Sequence, residues 1–248
     1  MINERNATDS RRLSARFLQA FNQVEQQLAR IANDTPSSAR PTFAATLLAA
    51  ARNSAGVKSF DRDLREYAEL RNAIVHDGTG LPLAEPHLQV VEHIEYIYKQ
   101  LSAPPRLISK YNKVDVCRPT DAISDVARTM RDGRYSQMPV YDGQEILGLI
   151  TGETIARWIA YQLEKDELVM SEPVIEVMKH AEDQNNWDVL AGQATIYEAK
   201  DRFDQAFLAR KSLDAIVVTT NGRKTAPPVG IITVFDYPEL TGRTDRPT

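Results

Sequence analysis

Apolar residues in the first hundred positions recur at steps of three and four. Leu13, Phe17, Phe21, Val24, Leu28 and Ile31 fall on one helical face, with Thr8 to Ser10 as the expected caps. Pro36, Pro41 and the serines between Asn33 and Pro41 break that helix. A short second helix is predicted near Phe43 to Arg52. Ser59 is the expected N-cap of a third, whose first turn holds Asp61 and Asp63, where the helix dipole favours anions. Its apolar side is Phe60, Leu64, Ala68 and Ile74, and Asp77-Gly78 stops it. A fourth segment, His87 to Leu101, places Leu88, Val91, Ile94, Ile97 or Tyr98, and Leu101 on one side. Four amphipathic helices with short connections predict an all-α bundle over residues 1–102.

Ser102 to Pro105 ends this pattern with two prolines and marks a domain boundary. Beyond it, "MPVYD" and "ILGLIT" are short β-type runs around a glycine-containing turn. "DAIVVTT" and "PVGIIT" repeat the arrangement about 77 to 82 residues later. Each unit reads as a capped helix, two strands and a second helix. In the first, Thr120 precedes AISDVARTM and ETIARWIAYQL closes the unit; in the second, ATIYEAKDRF leads and VFDYPEL closes. Units this small cannot cover their own sheets, whereas two stacked together can. The fold class expected is therefore α+β, a helical bundle followed by paired α/β repeats over 107–240. Repeat 1 covers about 107–165 and repeat 2 about 170–240, with 241–248 as a mobile tail.

Each repeat ends a strand with Gly, two apolar residues and Thr. "GIITVFD" carries Gly230, Thr233 and Asp236; "GLITGET" keeps Gly148 and Thr151 but has Thr154 in place of the acid. Two such heptapeptides in register, each after a strand and a turn, resemble a tandem pair of CBS domains. A strand turning into a helix presents unpaired amides and the positive end of a dipole, which favours phosphate. Asp236, three residues past the Thr233 hydroxyl, can accept two hydrogen bonds from a ribose diol. The resemblance implies an adenine nucleotide (AMP, ADP, ATP or a dinucleotide relative) as regulatory ligand, its base in an apolar slot between strands. Gly230, Thr233 and Asp236 are the expected binding residues, and Thr151 belongs to a first site that Thr154 leaves weak or empty. Arg134, just before the first strand, and Lys211, near the corresponding place in the second unit, are candidate phosphate partners. The same residues also fit a plainer reading: Thr followed by an acid three positions later is an ordinary helix start, and surface cations are usually solvated.

"LRNAIVHDG" is the other stretch with chemistry in it. Arg71 and His76, five apart on a regular helix, are about 140° apart around the axis, whereas Asn72 and His76 share a face. Near a helix end, the free carbonyls and the dipole's negative pole favour an imidazolium at His76. A titratable group beside a cation is what cleavage at a ribose 2′-hydroxyl requires. Arg, a polar residue directly after it, and His five positions from the Arg, near the end of a bundle's third helix, resemble the signature of HEPN domains, over about residues 9–102. That resemblance implies, in many members, a metal-independent endoribonuclease whose site forms across a homodimer, with Arg71 and His76 from both chains. It also admits members that only bind or dimerise. The structural alternative pairs Arg71 with Glu66 or Glu69 and uses His76 to cap the helix.

Charge and composition narrow these readings. A net charge of −4 and a pI near 5.7 argue against an all-over electrostatic grip on nucleic acid. The balance is uneven: residues 1–106 hold 13 Lys or Arg against 12 Asp or Glu, and 107–248 hold 17 against 22, so if any part of the chain meets RNA it is the first. Cys117, the single cysteine, excludes an intrachain disulfide and a cysteine-built zinc site and is expected as a small buried thiol on a strand. His76, His87 and His93 complete no tetrahedral set, so no metal is expected. No apolar run approaches the roughly 20 residues of a membrane span, and the start lacks an apolar stretch with a cleavage site, so a cytoplasmic protein without membrane contact is expected. Trp158 and Trp187 are expected to pack helices against sheets. The two resemblances together imply a homodimeric sensor in which an adenine nucleotide controls the helical domain. The rival is a non-catalytic nucleotide-binding protein whose helices dimerise or recruit a partner.

Overall fold

The structure, a computed structural model, describes residues 2–33, 41–75, 84–165 and 169–241, with side chains from residue 12 onward. The fold is α+β, and the chain divides into two units, one of residues up to Pro105 and the other Arg106–Thr241.

The first unit is helical: α1 (Ile2–Ala32), α2 (Phe43–Asn53), α3 (Ala55–Ser59), α4 (Asp61–Val75) and α5 (Leu88–Ser102). Phe17, Phe21, Val24 and Leu28 of the α1 stripe are buried, as are Leu47, Leu64, Ile94 and Ile97 on the other helices. The Phe21 ring stacks on Phe17 and Phe43, with centroids 6.2 and 5.1 Å away. Burying one such ring contributes roughly 1.5–3 kcal/mol.

Three local expectations are corrected. Helix α1 runs through Thr8 to Ser10, which therefore cap nothing; once a helix is nucleated each added residue gains a hydrogen bond, and the flanking Glu4, Arg5, Arg11 and Arg12 are good helix formers. Ser59 closes α3 instead of opening α4, and Ser54 is the cap there, accepting from the Val57 amide at 3.4 Å. Leu88 is 47% exposed because it is the first residue of α5 and precedes the buried stripe of Val91, Ile94, Ile97 and Leu101. His76, Asp77, Gly78, Pro36 and the tail from residue 242 lie outside the described residues.

The second unit is built twice. Its first half holds α6 (Ile123–Gly133), β1 (Gln137–Tyr141), β2 (Ile146–Thr151), α7 (Gly152–Glu164) and a short α8 (Val174–Val177). Its second half holds β3 (Trp187–Ala191), α9 (Ile196–Leu208), β4 (Ala215–Thr219), β5 (Pro228–Thr233) and α10 (Tyr237–Leu240). Strands β1 and β2 pair antiparallel, with Gln137 opposite Thr151; β4 and β5 repeat this, with Ala215 opposite Thr233. Strand β3 lies parallel to β4. Cys117 takes the matching place beside β1: its amide donates to Pro139 at 3.1 Å and its carbonyl accepts from Tyr141 at 2.9 Å. Ile146, Leu149, Ala215 and Val217 form an apolar layer common to both halves. Trp158 is 3% exposed in the core that α6 and α8 share with β1 and β2. Trp187 is only partly buried; its indole N–H donates to the Gln184 carbonyl at 3.2 Å and the Lys224 ammonium lies over its ring.

Thr120 does not cap α6, whose N-cap position is Ala122 and carries no side-chain bond. The real caps sit at the strand ends and at α9. Thr151 accepts from the Thr154 amide at 3.0 Å, and Thr195 with Glu198 forms a full capping box at the start of α9.

Candidate functional site

Between the two halves of the second unit opens a cleft of about 900 Å³. One wall is Lys113, Val114 and Asp115, on the extended run before Cys117. A second is the end of α6 and the turn into β1, with Met130, Arg131, Arg134, Tyr135, Ser136 and Gln137. The third comes from the other repeat, with Ile231, Thr233 and Phe235 at and beyond the end of β5. Thus two of the residues singled out from sequence, Thr233 and Arg134, face one space although they are 99 positions apart.

Thr233 is half-buried, and Asp236 stands behind it. Oδ2 of Asp236 accepts from the Thr233 amide at 2.8 Å and from its hydroxyl at 2.9 Å. Oδ1 carries no hydrogen bond among the described residues, so one carboxylate oxygen is held and the other is not, and Asp236 itself is not among the residues that line the cleft. After β5 comes a single 3-10 turn, Val234–Asp236, and then α10 of four residues. The sequence predicts a helix dipole here that would attract phosphate. Pro238 and the short run leave too few aligned peptides for one, so anion attraction at this end of the cleft must come from side chains. The turn itself is anchored: the Tyr237 hydroxyl donates to Asp204, whose other oxygen accepts from Lys200 at 2.6 Å.

Arg134 has φ +57° and ψ +38°, the left-handed conformation that ends α6. A Cβ at Gly133 before it would lie 2.0 Å from the Tyr135 ring, so any other residue there would displace that ring. A residue other than glycine in this conformation costs about 1–2 kcal/mol. Arg210 repeats the arrangement with φ +54°, and the hydrogen bonds match: Tyr135 N–H to the Met130 carbonyl, Lys211 N–H to the Ala206 carbonyl. The counterpart of Arg134 is therefore Arg210, and Lys211 corresponds to Tyr135. Lys211 lines a separate hollow of about 430 Å³ with Phe203, Phe207, Leu213 and Tyr237.

The cleft's charge is mostly positive. Arg131 is paired with Asp132 at 2.8 Å in an exposed contact of little energetic weight. The side chains of Lys113 and Arg134 have no hydrogen bond or ion pair among the described residues, although the Arg134 amide donates to the Arg131 carbonyl at 3.2 Å. Asp115 accepts from the Tyr135 hydroxyl at 2.6 Å; burial, and then Asp115 itself, push the Tyr135 pKa up, so the phenol stays a neutral donor. Phe235, at the rim, is 82% exposed. Lys113, Arg131, Tyr135 and Phe235 were not found from sequence, since an isolated cation or aromatic carries no local signal.

The other strand end is different. Thr154 is 3% exposed, and its hydroxyl lies 2.9 Å from that of Thr151. Thr151 caps the 13-residue α7, so a dipole is present, yet the space at Thr154 is only about 210 Å³. Gly230 lines neither space. It lies under the chain at Tyr111, whose carbonyl oxygen a Cβ would approach to 2.0 Å, so only glycine lets that segment cross β5.

In the helical unit, Arg71 is half-buried near the end of α4 and Asn72 is exposed. The Arg71 guanidinium donates to the Asn72 side-chain oxygen at 3.2 Å, while Glu66 accepts from Arg62 at 2.9 Å. His93 hydrogen-bonds the Tyr67 hydroxyl at 2.5 Å and His87 is the N-cap residue of α5. Among the described residues no group of three or more His, Cys, Asp or Glu could hold a metal ion, and no helix is long and apolar enough to cross a membrane.

Comparison with known proteins bears on the second unit. Residues 108–161 match the CBS domain family. No curated protein matches the chain. Among solved structures, the chain is similar to a protein with CBS domains from Burkholderia ambifaria, at 17% identity and TM-score 0.42, over 57% of this chain and 93% of that one. It is similar to a CBS-domain containing protein from Agrobacterium tumefaciens, at 20% identity and TM-score 0.40, over 54% and 89%. A CBS domain protein from Pyrobaculum aerophilum, complexed with AMP, aligns at 15% identity and TM-score 0.39, over 53% and 88%.

Proposed function

We propose that the protein is a nucleotide-sensing regulator whose second unit binds an adenine nucleotide in the 900 Å³ cleft. The observation that carries this reading is convergence. A hydroxyl backed by a carboxylate, two cations without partners and an exposed aromatic ring, drawn from both repeats, meet in one space. A nucleotide needs those groups: a carboxylate oxygen for the ribose diol, cations for phosphate, and a flat apolar surface for the base. Asp236 holds the ribose, Thr233 orients Asp236, and Phe235 covers the base. Thr151, with Thr154 in place of an acid, serves a second site that stays weak.

The segment that leads into the cleft supports a regulatory role. Arg106, Leu107 and Ile108 are hydrogen-bonded to Gln193, Ala194 and Gly192, and the chain then crosses β5 at Gly230 before forming the wall at Lys113. A ligand against that wall therefore presses on the segment that continues from the helical unit. The helical unit is the output arm, with Arg71, Asn72 and His76 as an RNA-cleaving set shared by two chains. A dimerising or partner-binding arm without catalysis is the alternative.

Calorimetry with AMP and ATP tests the sensor. Asp236→Ala is expected to weaken binding at least roughly tenfold, the worth of a charge-assisted hydrogen bond, with Asp236→Asn as a fold-preserving companion; unchanged affinity in both removes the ribose role. Structured RNA incubated with the protein in EDTA, beside His76→Ala, tests the output arm. Cleavage that the substitution abolishes supports catalysis, and no cleavage, or cleavage indifferent to His76, leaves the non-catalytic arm.

A further inference from the structure

The two halves of the second unit correspond at their strand ends and helix ends, and they differ there in a way that nucleotide binding does not use. Thr151 and Thr233 end matching strands, and Arg134 and Arg210 follow matching helices in the left-handed conformation. Three and two residues before Arg134 stand Arg131 and Asp132, an exposed ion pair. At the same places before Arg210 stand Phe207 and Leu208, 83% and 80% exposed. Gly152 and Glu153 follow Thr151, and Glu153 pairs with Arg157; Val234 and Phe235 follow Thr233 and are 48% and 82% exposed. Four polar or small positions of one half are thus bare apolar side chains in the other. They form one surface, because Phe207 and Val234 both line the hollow of about 430 Å³, and Leu208 and Phe235 adjoin them in the chain. Apolar side chains scattered singly over a surface need no explanation, whereas a contiguous set around a hollow marks an interface.

We propose that on this surface two copies of the chain meet through their second units, across a two-fold axis. Such an interface must be self-complementary. This one offers both parts: exposed rings, and beside them a concave wall of Phe203, Leu213 and Tyr237 into which a ring of the other copy fits. The area agrees. Two rings this exposed present roughly 300 Å², and Leu208 and Val234 bring the patch to on the order of 450 Å². A standard interface buries about 800 Å² per partner, of which roughly 60% is apolar. The patch therefore supplies nearly all the apolar surface that a stable dimer needs. The chain's own residues Gly242–Thr248 hold no aliphatic or aromatic side chain apart from Pro247, and do not suit the hollow. The contact is separate from the homodimer that the Arg71 and His76 pattern implies, and it does not depend on a nucleotide.

Sedimentation equilibrium of the full chain without nucleotide tests the proposal. Wild type is expected to dimerise with a dissociation constant below about 100 μM. Phe207→Arg combined with Leu208→Asp writes the exposed pair of the first half into the second, and it should fold because Arg131 and Asp132 occupy the same place there. This variant is expected to weaken the dimer at least roughly tenfold. Phe207→Ser alone is the companion should the double change lower the thermal midpoint, and it is read the same way. Wild type that stays monomeric at about 100 μM overturns the proposal. So does a dimer whose dissociation constant neither variant changes, since the copies then meet elsewhere.

Discussion

Cys117 shows how a single residue's surroundings set its chemistry. It is 3% exposed, and burial, followed by the nearby Asp121 charge, pushes its pKa from 9.0 up to about 12. The folded state then keeps a proton that the unfolded chain releases. The stability this provides is complete below pH 9.0 and is lost as pH rises towards about 12. Tyr111 and Tyr135, also raised chiefly by burial, act with the same sign above their ordinary pKa of 10.0. The urea midpoint is therefore expected to fall from about pH 9 upward, and Cys117→Ala to flatten the first part of that fall; a wild-type midpoint constant to about pH 11 contradicts this. The buried thiol was legible in the sequence because a lone cysteine among apolar residues is usually core. Its bridge to β1 was not, because the pairing is decided by where the chain returns.

Elements were legible where one face alone determines them. The α1 stripe sits in the core as its periodicity requires, and α2 and α5 begin and end within a residue or two of expectation. Phe21→Ala should cost about 3–5 kcal/mol in urea denaturation, since it empties the space between Phe17 and Phe43; a loss below about 1 kcal/mol would mean that the helical core repacks freely. Strand β3 was missed because "WDVLA" does not alternate cleanly and its parallel partner lies 28 residues on, with Trp187 opposite Ala215. The turn after β5 was read as a helix because Thr and an acid at that spacing are what helix starts use. Pro238 and the four residues of α10 show that the same chemistry can close a turn with one carboxylate oxygen.

At the scale of the whole molecule, the duplication explains both what could be read and what could not. Matching strand ends at Thr151 and Thr233 are visible as repeated heptapeptides, so the two half-sites could be marked from sequence. Which half-site opens into a usable cleft depends on segments far apart in the chain. Repeat 1 contributes Lys113 and Arg134 to the space at Thr233, whereas Met178 and Asn186 close around Thr154. The two strand ends are thus unequal in space, about 900 Å³ at Thr233 against about 210 Å³ at Thr154, and on the proposal above it is the larger cleft that takes the ligand.

The most direct measurement is a crystal structure of the full chain grown with ADP. One nucleotide per chain is expected in the cleft, its ribose hydroxyls on Asp236, its base against Phe235 and its phosphates between Lys113 and Arg134. A nucleotide seated at Thr154 instead, or a cleft left empty at saturating ADP, contradicts this expectation.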